Sequence, residues 1–565
     1  MTSVHETPVL VVGAGPAGLI AALQLATTGT KCLLAERNLD TTRWPKMDIT
    51  NCRSMEIFRR LGIAEGLRDV GVEQHWSFDV LFSTGLGEGR VVAKWDLDSP
   101  DKWRERIKET NDGSMPREPY QRCSQAIFEA WLKPRIQENA LIESYFGWKF
   151  ESLTEYDGYV ESNLVDHNGS RHIVRSRYVI GCDGAGSRVR RAVGIEMEGD
   201  LAPSAMWLIH FKSRDLERLR NQGQFWHVFF TTGHVLIAQD EKETWTLHTP
   251  IAVGTSVESL DAKEAIYAGL GGEHSPFEIT IDEILLSNTW RPNICLAEKY
   301  ISSGGRVFLS GDSAHQNIPT GGYGMNTAVG DSFDIGWKIS AALRGSTGPG
   351  FLATYEEERR PVAARNIARS GAHMGVHIEY AQWCRDAPGV ISTESTEGDE
   401  LRKRVASHVD EHDGENKDHG IELGYRYRSS IVSPRERGIE PRWWEREYIP
   451  STWPGSRAPH VFLRDGKSSI FDLFGKGLEF TFVDFTPDAR FIETFGSVLR
   501  KRVPVKMVHL PDDLHAREVW ERDAVLVRPD DHVAWRAPID SDLAGGRNIP
   551  GMLWEMVSSL FQQRH

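Results

Sequence analysis

The sequence predicts an α/β chain: a parallel sheet built from βαβ units, a second sheet interleaved with it, and a separate C-terminal α/β unit. Three observations predict this. An apolar strand at residues 9–12 runs straight into Gly13-Ala14-Gly15-Pro16-Ala17-Gly18, then a helix and a second strand. Two later apolar runs, 177–182 and 306–310, each lead into a glycine-rich loop that carries an Asp near its start. Between them, four short β-rich segments crowd into residues 207–248. Strands separated by helical patterns read as parallel, whereas closely spaced short strands read as antiparallel.

The 565 residues suffice for two or three domains with large cores. Lys and Arg number 66 against 80 Asp and Glu, and the formal charge of −14 argues against a general nucleic-acid binder. None of the six cysteines forms a C-x-x-C pair or has metal-ligand spacing, so they read as reduced thiols and no metal centre is expected. Residues 1–8 lack the features of a signal peptide, and no apolar run approaches the ~20 residues of a membrane span. A soluble, cytoplasmic protein is the expectation. The 18 tryptophans read first as core fillers.

Residues 9–12 form the first strand, 19–27 a helix with Leu19, Ala22, Leu23 and Ala26 on one face, and 31–35 a second strand ending at Glu36. Gly13 permits the tight turn, Gly15 the approach of a pyrophosphate, and Gly18 close packing of helix on strand. The helix N-terminus, with Pro16 and Ala17, faces the phosphates. Glu36 accepts hydrogen bonds from ribose hydroxyls, and Arg37 follows it. The glycine motif alone is weak; strand, helix, second strand and acid at the required spacing make it specific. It does not separate FAD from NAD. Residues 85–90 lack the third glycine and open no helix, so a single dinucleotide fingerprint is present.

The run 177–182 ends in Asp183-Gly184-Ala185-Gly186-Ser187-Arg188. This loop brings Asp183 and backbone amides towards the same dinucleotide, with Arg188 on a phosphate or locking the loop. The run 306–310 leads into Gly311-Asp312 and then Pro319, Gly321, Gly322, Gly324, Met325 and Asn326, before a helix at 327–343. Asp312 suits a sugar-like hydroxyl. The glycines bring bare backbone and a helix N-terminus against a flat, electron-rich ring. That combination points to a bound flavin.

Together these regions resemble the single-component class A FAD-dependent aromatic hydroxylases. The resemblance implies that Gly13, Gly15, Gly18 and Glu36 hold the ADP half of FAD. It places Asp183 and Gly184 where both FAD and NAD(P)H are served, and gives Gly311 and Asp312 the ribityl chain. Pro319, Gly322, Gly324, Met325 and Asn326 then border the isoalloxazine. Gln125-Ala126-Ile127-Phe128-Glu129 matches the family's Gln helix, which assigns Gln125 or Arg122 to the pyrophosphate or ribityl. Residues 351–364 match a scaffold helix. FAD is expected tightly but non-covalently bound, with NAD(P)H a transient co-substrate and NADPH favoured.

The resemblance is closest to the phenol-hydroxylase-like branch and covers nearly the whole chain. Met47-Asp48-Ile49-Thr50-Asn51-Cys52-Arg53 puts Asp48 at the branch's active-site acid, which implies that it holds and helps deprotonate a substrate phenol. The electrophile so implied is a flavin C4a-hydroperoxide, shielded from water. Residues 205–250 then form a sheet over the pocket. His210 and His248 are candidate base or orienting groups, beside His227 and His234, and Trp226 and Trp245 are candidate pocket walls. The branch carries an Arg and a Tyr near 244–248, where this chain has Trp245 and Leu247. A substrate larger or more apolar than phenol follows.

The domain plan implied is a Rossmann-type FAD-binding domain over about 1–80, 115–200 and 290–384, interleaved with a β-sheet substrate domain over about 81–114 and 201–289. A polar, flexible connection at 385–460 encloses a helix around 401–408. Residues 461–565 resemble the branch's thioredoxin-like α/β domain: strand 478–485, helix 489–501, strand 503–510, a hairpin over 524–528 and 532–536, and a closing helix with Met552, Val557, Leu560 and Phe561. It holds no cysteine, so disulfide exchange is ruled out there and a structural or homodimer role is expected. The implied function is NAD(P)H- and O2-dependent hydroxylation of a phenolic or polyketide-like aromatic. Baeyer–Villiger or dearomatising oxidation on the same fold stays open, as does a non-catalytic flavin sensor or scaffold. A missing Trp-x-Trp-x-Ile-Pro segment argues against a halogenase, and a missing cysteine pair excludes a disulfide reductase.

Overall fold

The computed structural model describes residues 3–46, 48–202, 204–345, 347–348, 350–432 and 438–538. Strand Ser3–Val12 lies between Cys32–Glu36 and Arg171–Gly181, all parallel. Ile142–Phe146 extends this sheet beyond Cys32–Glu36, and Val307–Leu309 pairs parallel with the end of Arg171–Gly181. The first half of Arg171–Gly181 pairs instead with antiparallel Val160–Val165, which continues to Lys149–Glu155. The register sets Ala35, Val12, Gly181 and Leu309 in one row. All three glycine-rich loops and Glu36 follow directly from that row. Parallel strands end on one edge where helices begin, and that edge is where such sheets take ligands.

Helices Pro16–Thr27 and Tyr323–Leu343 pack closely. Ser332 Oγ donates to Ala17 O at 2.8 Å, and the Thr28 and Ser340 hydroxyls are 2.6 Å apart. The second helix starts four residues before the predicted 327, behind Gly322 in the left-handed region (φ +65°). Its first turn contains Gly324, a poor helix former, which hid the start. Helix Thr354–Asp386 far outruns the expected 351–364 and buries His373, Val376, His377 and Tyr380 along its second half.

The second sheet runs in the order Glu283–Trp290, Ala205–Lys212, Thr244–Ile251, Val235–Ala238, His227–Phe230, Val80–Ser83, Val91–Trp95. One face packs Trp207, Ile209, Val228, Trp245 and Leu247 against Ile266 and Leu270 of helix Ala262–Gly271. The other carries Val80, Phe82 and Phe229 towards Tyr380 and Cys384 of the long helix. The stretch expected as a flexible connection contributes here. Helix Thr396–Glu411 buries Val405 and Val409, and Trp95 Nε1 donates to Val409 O at 2.8 Å. Val405 and Val409, with Leu401 one turn earlier, form the apolar stripe that docks a helix whose other residues are mostly charged or polar.

In the C-terminal unit, Phe480–Asp484 pairs parallel with Val505–His509 and antiparallel with Ala524–Val527, which pairs with Val533–Arg536. Phe480, Phe482, Leu526 and Trp535 pack with Trp337, Ala341 and Phe351 of the main body. The expected closing helix with Met552, Val557, Leu560 and Phe561 lies outside the described residues. Among the described residues, no helix is long and apolar enough to cross a membrane.

Candidate active site

The glycines of the first loop have separate causes. A Cβ on Gly13 (φ +103°) would lie 2.3 Å from Cys182 O, and one on Gly18 would lie 1.8 Å from Gly13 O. Gly15 meets nothing closer than Glu129 Oε1 at 4.0 Å, so its backbone is open on that side. Pro16 starts the helix, where a missing N–H costs nothing. The result is a bare rim at a helix N-terminus, which fits a diphosphate. Glu36 Oε2 accepts from Ala14 N at 2.8 Å and Oε1 from Asn38 N at 2.9 Å, which fixes the acid at the rim. Arg37 is exposed beside it. Gln125 Nε2 donates to Glu129 Oε1 at 2.7 Å, and Glu129 Oε2 accepts from Thr42 N at 3.0 Å. Burial raises the pKa of Glu129, which favours the neutral carboxyl that a diphosphate tolerates. Gly18→Ala is expected to force the helix off the strand and abolish FAD retention; the ratio of flavin to protein absorbance after gel filtration measures it, and a ratio like that of the unaltered protein would refute it.

The second loop is used differently from the expectation. Asp183 caps helix Arg188–Ala192, accepting from Ser187 Oγ at 2.5 Å, Arg188 N at 2.6 Å and Val189 N at 3.1 Å. Its carboxylate shapes the loop instead of projecting from it. The Arg188 side chain turns away to Glu151 at 3.0 Å. Arg190, which the sequence did not single out, donates to Ser313 O at 3.1 Å and joins this loop to the third.

In the third loop a Cβ on Gly311 (φ +67°) would meet the Cβ atoms of Ala17 and Ala328 at 3.1 Å. Buried Asp331 organises the turn: Oδ2 lies 2.9 Å from His315 Nε2, and Oδ1 accepts from Arg359 Nε at 2.8 Å. Burial opposes its charge, but Arg359 and His315 hold its pKa below the usual carboxylate range. Asp312 is exposed, and its carboxylate meets no hydrogen-bond donor among the described residues. Pro319 is exposed and Met325 half-buried, and Gly324 has open space where a Cβ would stand. Gly321 N donates to Glu415 Oε1 at 2.9 Å, and Thr320 Oγ1 to Ser370 O at 2.7 Å, so the loop is fastened from behind. Bare backbone at Gly15 and Gly324, with a free Asp312 on the same sheet edge, fits an extended dinucleotide carrying a flavin.

Asn326 links this loop to Asp48. Its Nδ2 donates to Ile49 O at 3.1 Å, and its Oδ1 accepts from Asn51 N at 3.0 Å. Ile49–Thr50 pairs antiparallel with Gln121–Arg122, Ile49 opposite Arg122. Asp48 Oδ2 accepts from Arg122 Nε at 3.0 Å and from Trp226 Nε1 at 2.6 Å. Its Oδ1 is buried without a partner among the described residues. Burial pushes the Asp48 pKa up, against the opposing pull of Arg122 and Trp226.

Four expectations change here. Arg122 is fully buried and spent on Asp48, Glu241 and Ala238 O, so it is not free for the cofactor. Trp226 holds Asp48 by its indole N–H, which makes it a partner of the acid more than a pocket wall. Trp245 faces the opposite side of the sheet, against helix Ala262–Gly271, where its N–H reaches Ser213 O at 3.0 Å. Strand alternation puts Thr246 and His248 on the face that carries Phe82 and Phe229. His210 and His248 do lie on that face, but they are engaged. His210 Nδ1 is 3.1 Å from Trp245 O and 3.0 Å from Thr246 Oγ1, and His248 Nδ1 accepts from Trp290 Nε1 at 3.2 Å. Burial lowers both, His248 to about 4, so both are neutral near pH 7. Two strands separate His210 from His227, the histidine next to Trp226. Glu241, on the far side of Arg122, had no signal in the sequence.

Residues 6–370 match the FAD binding domain family, and 451–551 match the aromatic-ring hydroxylase C-terminal family. The FAD-dependent monooxygenase apdD of Emericella nidulans is 44% identical, with 94% of this chain and 88% of that protein covered. Phenol 2-monooxygenase of a Pseudomonas species is 29% identical, covering 95% and 90%. The crystal structure of the flavin-dependent monooxygenase PieE in complex with FAD and substrate matches at a TM-score of 0.85 and 30% identity, covering 98% of this chain and 99% of that one. With the glycine rim and the Asp312 loop on one sheet edge and the Asp48 strand tied to them through Asn326, the chain belongs to the FAD-dependent monooxygenases of the aromatic-ring hydroxylase family.

Proposed function

We propose that this enzyme hydroxylates a phenolic or polyketide-derived aromatic, that Asp48 binds and deprotonates the ring hydroxyl, and that NADPH is the favoured reductant. The observation that carries this is the orphaned Oδ1 of Asp48. A buried acceptor without a donor is costly, and a substrate O–H completes it. Relatives named for phenol, 2,4-dichlorophenol and polyketide hydroxylation support the substrate class.

FAD held by the glycine rim and the Asp312 loop would supply activated oxygen, drawn from O2 with electrons from NAD(P)H. The protein positions and activates the aromatic ring. Arg122 and Trp226 clamp Oδ2, so Oδ1 keeps one direction. A raised pKa makes Asp48 a stronger base than an exposed carboxylate, and a phenolate ring carbon is a better nucleophile than a phenol's. Asn326 fixes the distance between the acid's strand and the flavin loop. Phe82 and Phe229 give the sheet face an apolar lining that keeps water away.

The test supplies FAD-loaded enzyme with phenols and aromatic polyketides under labelled O2, with NADPH or NADH. One labelled oxygen on the ring, matched to NADPH consumed, is expected, with kcat/KM higher for NADPH. Peroxide as the sole oxygen product with every phenolic substrate would overturn the reading, and a ring-inserted ester would replace hydroxylation by Baeyer–Villiger chemistry.

A further inference from the structure

Arg122 ties two parts of the fold together at the active site. It stands on the short strand beside Ile49–Thr50, yet Nη2 donates to Ala238 O and Nη1 to Glu241 Oε1. Ala238 ends strand Val235–Ala238 of the second sheet, and Glu241 lies in the turn that leads from it to Thr244–Ile251. Its Nε donates to Asp48, at 3.0 Å. Glu241 is buried and sits at φ +60°, a conformation that a residue with a side chain adopts reluctantly. Its other oxygen accepts from Arg220 Nη2, with Gln224 Nε2 at 3.4 Å. A turn needing only a reversal would take Gly or Asn and leave it in solvent. This one holds an acid, in a disfavoured conformation, between two guanidinium groups.

We propose that Glu241 is a positioning residue for the hydroxylation: it orients Arg122 and shares its charge, so that Asp48 is set for proton transfer only when the second sheet is seated over the flavin loop. The proposal rests on the reading of Asp48 as base. Two effects follow from the geometry. Nη1 and Nη2 are held by the sheet, so the Nε–H direction, and with it the Asp48 carboxylate, depends on sheet position. An unshared guanidinium at 3.0 Å would also pin Asp48 in its ionised form and weaken it as a base. Glu241 counters that pull, in keeping with its part in raising the Asp48 pKa. Two further titratable groups beside the acid, Cys123 and His227, add no charge near neutral pH. Burial pushes the Cys123 thiol up to about 12, and burial lowers the His227 ring to about 3.

The test is the pH profile of kcat/KM for FAD-loaded enzyme and a fixed phenolic substrate. Asp48→Asn should abolish the acid limb. Glu241→Gln should move that limb down by about half to one pH unit, because Arg122 then acts on Asp48 unopposed. Arg220→Gln should move it up, because Glu241 loses its other counter-charge. Glu241→Asp keeps the charge and should restore the limb towards its original place. Opposite shifts from two neighbouring variants are not what a purely structural turn produces. A limb lost in Asp48→Asn but unmoved, or moved the same way, in Glu241→Gln and Arg220→Gln overturns the role of Glu241 and leaves that of Asp48. A limb that survives in Asp48→Asn overturns both. If Glu241→Gln fails to retain FAD, Arg220→Gln decides: no upward shift ends the proposal.

Discussion

Asp48→Asn should retain FAD and lower coupled hydroxylation by about 10²–10⁴-fold, with reducing equivalents diverted to hydrogen peroxide. The fold should survive because no buried cation loses its last partner. Arg122 keeps Glu241 and Ala238 O, and an amide oxygen replaces the carboxylate oxygen at Nε. The lost property is proton acceptance at Oδ1. A phenol then reaches the reaction mostly protonated, and its ring carbon attacks too slowly to compete with loss of the activated oxygen to water. Raising the pH towards the phenol's own pKa, roughly 10, should recover part of the coupling in the variant, since solvent then does what Asp48 did. NADPH consumption, peroxide and hydroxylated product are measured together. Full coupling in the variant would remove Asp48 from the chemistry, and loss of FAD would make its role structural.

The flavin side of the site was legible because its determinants are local. Gly13, Gly18 and Gly311 are each demanded by a close approach or a positive φ within one strand–loop–helix step. Such steps leave a glycine signature at fixed spacing. The substrate side was not legible, for two reasons. Asp48 depends on Arg122 and Trp226, which are 74 and 178 residues away, and Arg122 depends on Glu241, another 119 residues on. No periodicity records such contacts. The second sheet is also buried on both faces near its centre, so apolar residues fall at odd and even positions alike. Residues 244–248 do alternate, Trp245 and Leu247 against Thr246 and His248, but with both faces of the sheet covered the alternation does not say which set shares a face with Phe229. Asp183 is a different case. An Asp-Gly loop at a strand end fits a ligand-facing acid and a helix cap equally, and only the positions of Ser187 and the Arg188 amide decide between them.

Arg528→Met should cost about 3–5 kcal/mol, the range expected when one member of a buried ion cluster is removed and its partners are left. Arg528 donates to Glu358 Oε1 and Oε2 at 2.6 and 2.8 Å and to Asp530 Oδ2 at 2.5 Å. Lys338 reaches Glu358 at 2.6 Å and Asp334 at 2.7 Å. Three carboxyls thus share two cations, all of them buried. Burial, with Glu358 and Asp530 near by, pushes the Asp334 pKa up, towards the neutral carboxyl that relieves the imbalance. Burial opposes the charge of Glu358 too, but Arg528 and Lys338 hold it down to about 2. A folded pKa below the unfolded one gives stability that is present above the unfolded pKa, about 4.3 for a Glu, and lost as pH falls. Removing Arg528 forfeits that contribution, so the deficit should be large at neutral pH and shrink in acid. The effect should reach the active site. Arg528 opens the turn whose Asp530 O accepts from Arg53 Nη2 at 2.8 Å and whose Asp531 pairs with Arg53 at 3.2 Å. Arg53 lies in helix Cys52–Arg60, directly after the strand that follows Asp48. The variant should therefore unfold at lower temperature and also release FAD and leak peroxide more readily. Changing Glu358 and Asp530 to their amides in the same chain should recover much of the melting temperature, because the one carboxyl then left in that cluster, Asp334, keeps Lys338 as its partner. Recovered stability with peroxide leakage unchanged would mean that the hairpin braces the site through shape and not charge. An Arg528→Met protein that melts and couples like the original would mean that the C-terminal unit does not brace the site at all.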